Sequence, residues 1–185
     1  MATIGVAVSV PDPWGATLQD YRVALGDSAA AGIPTHITLL PPIDVEDDLL
    51  PGIQKHLRGV AGSVGPFTVH LRGTGTFRPV SPVVFVNVVD GISRCEQLAA
   101  AVRRGPLAVD AQYPYHPHVT VAHRLDEPLL DRAFEELAGF ECRFEVEHVT
   151  LYVHLDGAGW TPKDDLPLDR TTRGLVGFPG RRPPP

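Results

Sequence analysis

Thr35-His36-Ile37-Thr38-Leu39-Leu40 and Pro117-His118-Val119-Thr120-Val121-Ala122 carry one pattern, a histidine and a threonine two residues apart inside an apolar run. Successive side chains of a β-strand point to opposite faces, so each pair presents its imidazole and hydroxyl on one face and its aliphatic residues on the other. Two such strands lying side by side would bring two imidazoles and two hydroxyls to one cleft. That set is sufficient for phosphoryl chemistry without a metal.

Outward from these segments the chain alternates strand and helix signals. Thr3 to Val10 reads as a buried strand stopped by Pro11-Asp12-Pro13, and Trp14 to about Ala30 reads as a helix whose apolar contacts are Leu18, Tyr21, Val23 and Leu25. The first His-x-Thr strand is expected to stop at Pro41-Pro42. A helix then starts near Asp47 or Asp48, with Pro51 in its first turn and Ile53, Leu57, Val60 and Val64 inward. Phe67 to Arg72 alternates as a half-buried strand, and Val83 to Val89 is almost continuously apolar, as in a strand covered on both faces. A helix carrying Ile92, Cys95, Leu98 and Val102 precedes the second His-x-Thr strand. Another, led by Pro128, follows it with Leu129, Leu130, Ala133, Phe134 and Leu137 inward. Phe144 to Leu155 reads as one last strand, bulged near Glu147 where its apolar residues switch parity. From Thr161 the pattern dissolves into Pro, Gly and Arg up to Pro185, which predicts a tail ordered only by docking.

The elements repeat. Strand, helix, His-x-Thr strand, helix, strand occurs from about residue 4 to 72 and again from about 83 to 155, with Ile4 standing 32 positions before His36 and Val84 standing 34 before His118. The expectation is an α+β protein: one domain over 1–160, made of two pseudo-symmetric lobes whose antiparallel-rich sheets face a central cleft, and a tail over 161–185.

At 185 residues and 43% hydrophobic the chain can bury a core of its own, and no apolar run approaches the ~20 residues that cross a bilayer. Without the basic start and cleavage site of a secretory signal at Met1 to Val10, the protein is expected to be cytoplasmic. It is expected, separately, to be a monomer. A net charge of −6 argues against the broad basic surface of a protein that coats nucleic acid, while a pocket for one phosphate is compatible with it. Cys95 and Cys142 lack metal-ligand spacing and read as reduced packing residues.

His-x-Thr occurs a third time, at His148-Val149-Thr150, but there it falls in the fifth element of its repeat, whose counterpart Phe67 to Arg72 lacks the motif. His148 is therefore assigned a structural or surface role. A rival reading takes His116, His118 and His123 as metal ligands, since His-x-His on one strand face is a ligand spacing. Pro117 within the pair and the lack of a nearby carboxylate weigh against it.

With both motifs, the lead-in Tyr115-His116-Pro117-His118, the strand Val83-Val84-Phe85-Val86 and the closing Val149-Thr150-Leu151-Tyr152, most of the chain resembles the two-histidine (2H) phosphoesterase superfamily. Within it, the similarity is to the bacterial 2'-5' RNA ligase-like proteins, also called RNA 2',3'-cyclic phosphodiesterases. The resemblance implies an enzyme that needs no metal or cofactor and acts on an RNA end or small nucleotide bearing a cyclic phosphate. His36 and His118 would be acid and base respectively, Thr38 and Thr120 would bond the phosphoryl oxygens, and reversal would make a 2'-5' linkage. A nucleobase-stacking aromatic is implied as well, for which Tyr115 and Phe77 are candidates. Relatives are expected to carry an Arg five residues beyond the second motif histidine. Here His123 stands there, with Arg124 next, and on a regular strand His123 would point away from the His118 face. A binding module of the same fold that does not turn its ligand over, and hydrolysis of another small cyclic phosphate such as an ADP-ribose derivative, are the alternatives.

Overall fold

A computed structural model of the chain describes residues 1–109 and 113–172. Eight strands, β1 (Ala2–Ser9), β2 (His36–Val45), β3 (Phe67–Thr76), β4 (Val83–Asp90), β5 (His118–His123), β6 (Glu141–Val146), β7 (His148–Leu155) and β8 (Gly159–Pro167), form one antiparallel sheet. Four helices, α1 (Trp14–Leu25), α2 (Leu50–Ala61), α3 (Ile92–Val102) and α4 (Glu127–Glu136), pack on it. None of the described helices is long and apolar enough to cross a membrane. The α2 stripe Ile53, Leu57 and Val60 is buried as its spacing predicts, together with Val64 just beyond the helix, and Cys95 and Cys142 are buried free thiols.

On α3 and α4 the expected inward residues Ile92 and Phe134 are exposed instead, and four further local expectations are corrected. Helix α1 ends at Leu25 rather than near Ala30, because Gly26 adopts a left-handed φ of 93° and its N–H turns back to Arg22 and Val23. On that helix Val23 is half exposed, and the buried stripe is Leu18, Arg22 and Leu25. Strand β2 runs through Pro41-Pro42 to Val45. Its pairing with β1 jumps from Leu40 opposite Val6 to Ile43 opposite Ile4, so both prolines sit in a bulge where their missing N–H groups cost no ladder bond. The segment expected to loosen from Thr161 is strand β8, hydrogen-bonded along β7 from His148–Pro167 to Leu155–Gly159, with Leu166 and Leu168 in the core. The Arg- and Pro-rich end of the chain, from Arg173 on, lies outside the described residues.

The fourth correction bears on the whole architecture. Glu147 is not a bulge in one strand but the single residue between β6 and β7, which stand six places apart in the sheet order β6-β3-β4-β5-β2-β1-β7-β8. In a flat sheet six spacings would span roughly 29 Å, far beyond the reach of one residue, so the sheet curls until its β6 edge returns to β7. The fold is thus an α+β assembly around a curled antiparallel sheet. Phe67-Thr68-Val69 and Phe144-Glu145-Val146, which look like counterparts in the sequence, are hydrogen-bonded neighbours in β3 and β6. One half of the sheet, β3 to β6, is contiguous in the chain, and the other is built from β1 and β2 together with β7 and β8.

Candidate active site

The two halves meet where β2 and β5 touch, through the pairing of Ile37 with Val119. An antiparallel register centred there sets His36 across from Thr120 and Thr38 across from His118. Residues directly opposite have Cβ atoms about 4.5–5.5 Å apart. Ile37 and Val119 are completely buried on the reverse face, whereas the four polar residues are half-buried.

Both imidazoles are held in the same way. Nδ1 of His36 lies 2.6 Å from the Pro34 carbonyl oxygen and Nδ1 of His118 lies 2.7 Å from that of His116. A carbonyl only accepts, so Nδ1 carries the hydrogen in each ring, and Nε2 is the nitrogen that gains or loses a proton. The Thr38 hydroxyl is 3.1 Å from Nε2 of His36. His118 is packed edge-on against Phe77 and tilted against Phe85, both with ring centroids 5.0 Å away. Burial pushes both histidines below their ordinary pKa, partly offset by the carbonyl bonds. The Arg22 charge lowers His36 further, and His116 and His36 lower His118.

The motif residues stand between two cavities. One, of about 290 Å³, is bounded by His36, Thr38, Thr120, His123, Arg22 and Trp160 among others; the second, of about 770 Å³, is bounded by Thr38, His118, Phe77, Tyr113, Tyr115 and Arg103 among others. His123 reaches the first because β5 is bulged. Val84 pairs with Ala122 but Phe85 pairs with Thr120, so Val121 is extra, the parity flips, and His123 faces the same way as Thr120. Arg124 does not join it: it is exposed, takes a left-handed φ of 54°, and bounds neither cavity. Tyr115 donates its hydroxyl to the Thr38 carbonyl at 2.9 Å, with the Arg103 guanidinium 5.1 Å from its ring centroid. His148 is exposed and outside both cavities.

A family model described as the 2'-5' RNA ligase superfamily matches residues 10–158. The chain belongs to that superfamily. A Halalkalibacterium halodurans protein with the provisional name phosphoesterase BH1439 is 27% identical over 168 residues, covering 90% of this chain and 97% of its own. Among solved structures, TT0787 of Thermus thermophilus aligns at a TM-score of 0.65 with 25% identity, covering 91% of this chain and 98% of its own. Apo LigT of E. coli aligns at 0.64 with 21% identity and the same coverage, which shows the shared fold. A two-histidine phosphoesterase architecture is therefore established for this superfamily member.

Its sequence concealed three contributors to the site. Arg22 hides in the helical stripe Leu18-x3-Arg22-x2-Leu25, and the signal was an arginine on an apolar face with Asp27 five residues on. Trp160 lies in β8, where a Pro, Gly and charged composition masks a strand. It covers Gly5, where an added Cβ would come within 3.4 Å of the indole. Phe85 reads as plain core but packs on His118. The rings of His116 and His118 stack 6.1 Å apart, and His123 opens on the other cavity. Among the described residues no three His, Cys, Asp or Glu side chains are grouped to hold a metal ion.

Proposed function

We propose that this superfamily member is a metal-independent phosphodiesterase that hydrolyses 2',3'-cyclic phosphate ends of RNA or of small nucleotides, with His36 and His118 as the acid–base pair. The observation that carries the reading is the pair of Nδ1-anchored imidazoles flanked by two threonine hydroxyls across one strand seam. One neutral imidazole takes a proton from the attacking water, and the other, protonated, gives one to the departing sugar oxygen. Thr38 and Thr120 donate to the nonbridging oxygens as charge accumulates on them. In the reverse direction the same groups join a 5'-hydroxyl to the cyclic phosphate and give a 2'-5' bond.

Nucleotide-sized space beside the motif residues supports the substrate class. The larger cavity has aromatic walls, Phe77, Tyr113 and Tyr115, suited to a nucleobase. LigT of E. coli, similar in fold, has been crystallised with 3'-AMP, with ATP, with NADP+ and with phosphate. The test is a panel of 2',3'-cyclic nucleotides and cyclic-phosphate-ended oligoribonucleotides with product analysis, run with and without excess chelator. Hydrolysis to one phosphomonoester isomer, unchanged by chelator, is the expected outcome. Binding with no turnover across the panel would instead make the protein a nucleotide-binding module, and strict dependence on added zinc or manganese would overturn the metal-free mechanism.

A further inference from the structure

Arg22 is out of place for a core residue. It is 4% exposed on the inward stripe of α1, where a leucine would pack at less cost than a guanidinium taken out of water. Its Nε and Nη2 lie 3.1 and 2.7 Å from Oδ2 of Asp27, and Oδ1 of that carboxylate accepts the Ala29 N–H at 3.1 Å. Both partners are buried, so the guanidinium is fixed in aim. Yet Arg22 also bounds the smaller cavity together with His36, Thr38, Thr120 and His123. Among the described residues bounding that cavity it is the one with a permanent charge.

We propose that Arg22 holds the phosphoryl group: with two nitrogens locked by Asp27, it turns its remaining Nη1 to a nonbridging oxygen of a phosphate seated between His36, Thr38 and Thr120, and Asp27 is the residue that positions it. Burial keeps both imidazoles mostly neutral near pH 7, so neither supplies the standing positive charge an anion needs in the unliganded site. The influence of Arg22 reaches His36 and His123, both of which it lowers, as expected of groups around one small space. Relatives are expected to place an arginine at the position of His123. Here the bulge at Val121 brings an imidazole to that wall, and the guanidinium comes from α1, which packs against β5. The identity of the bound group follows from the acid–base reading above; whether a phosphate is held by Arg22 is tested separately from it.

Inorganic phosphate is titrated into the wild-type protein, Arg22→Lys, and the double variant Arg22→Met with Asp27→Asn, following the His36 ring by NMR, and kcat/KM is measured on a 2',3'-cyclic nucleotide. The double variant removes the buried pair without stranding a charge, and Arg22→Lys retains the charge but loses the fork. Both are expected to bind phosphate at least about tenfold more weakly and to lose on the order of 100-fold in kcat/KM, the scale of one lost oxyanion donor, with melting temperatures close to wild type. If the double variant does not fold, Arg22→Lys carries the comparison. Wild-type protein that takes up no phosphate, or variants that bind it as the wild type does, would overturn the assignment and leave the pair a structural link between α1 and the following loop. Phosphate binding that depends on Arg22 in a protein that hydrolyses no cyclic nucleotide would sink the hydrolase reading and leave Arg22 in place.

Discussion

His36 and His118 are oriented by the backbone carbonyl two residues before each, Pro34 and His116. The nitrogen of each ring left to exchange a proton, Nε2, is thereby set by local chain geometry rather than by a distant carboxylate. Replacing either by Ala should cost ~10²–10⁴ in turnover of a cyclic nucleotide with little change in melting temperature, and His148→Ala should leave the rate intact. A comparable loss at His148 would move the site. The pH dependence follows from the direction of the shifts. The base must be neutral, so the rate rises as pH climbs through its pKa; the acid must be protonated, so the rate falls as pH passes its own. Both histidines are lowered, so the bell of kcat/KM should peak on the acid side of the ordinary histidine value near 6.5. A bound phosphate stabilises the charged rings, so the kcat profile should lie at higher pH than that of kcat/KM. A pair of limbs above pH 8 would exclude the two imidazoles.

At the scale of the element, the bulges decide which residues meet. Strand β5 keeps strict alternation from His118 to Thr120 and then breaks it at Val121, which brings His123 onto the motif face. The paired motifs were legible because a period of two needs only adjacent residues to be seen. The bulge was not, since its cause is the register against β4, a partner some 35 positions away in the chain. The same limit hid β8, whose strand character comes from pairing with β7 and not from its composition, and Arg22, whose inward position rests on a tertiary partner. Strand β3 offers a test of how tightly the aromatic bed under His118 is built. A Cβ on Gly75 would lie 2.5 Å from Cε2 and 2.7 Å from Cζ of Phe85, which packs against both His118 and Phe77. Gly75→Ala should therefore destabilise the protein by about 1–3 kcal/mol and lower kcat more than it raises KM, measured by denaturant unfolding and steady-state kinetics. A variant as stable and active as the wild type would show the ring bed to be soft.

For the molecule as a whole, the internal repeat is a guide to the elements but not to their partners: β3 and β7 each lie in the half of the sheet opposite to the other strands of their own repeat. Sequence periodicity carries no record of which edge a strand will join. Strand β8 shows what the late segment contributes, since Leu166 is 1% exposed and Trp160 walls the smaller cavity. Leu166→Ala should cost about 2–5 kcal/mol in unfolding free energy, and a change under about 0.5 kcal/mol would mean that β8 is dispensable to the core. The one-residue passage at Glu147 has a consequence for how the enzyme meets its substrate. The two walls of the cleft are joined at the Ile37–Val119 contact and tethered again through Glu147, so they have no free rim about which to swing. Such a mouth stands ready-made: ligand entry needs no domain closure, and amide exchange around residues 146–148 should be as slow in the empty protein as in the occupied one.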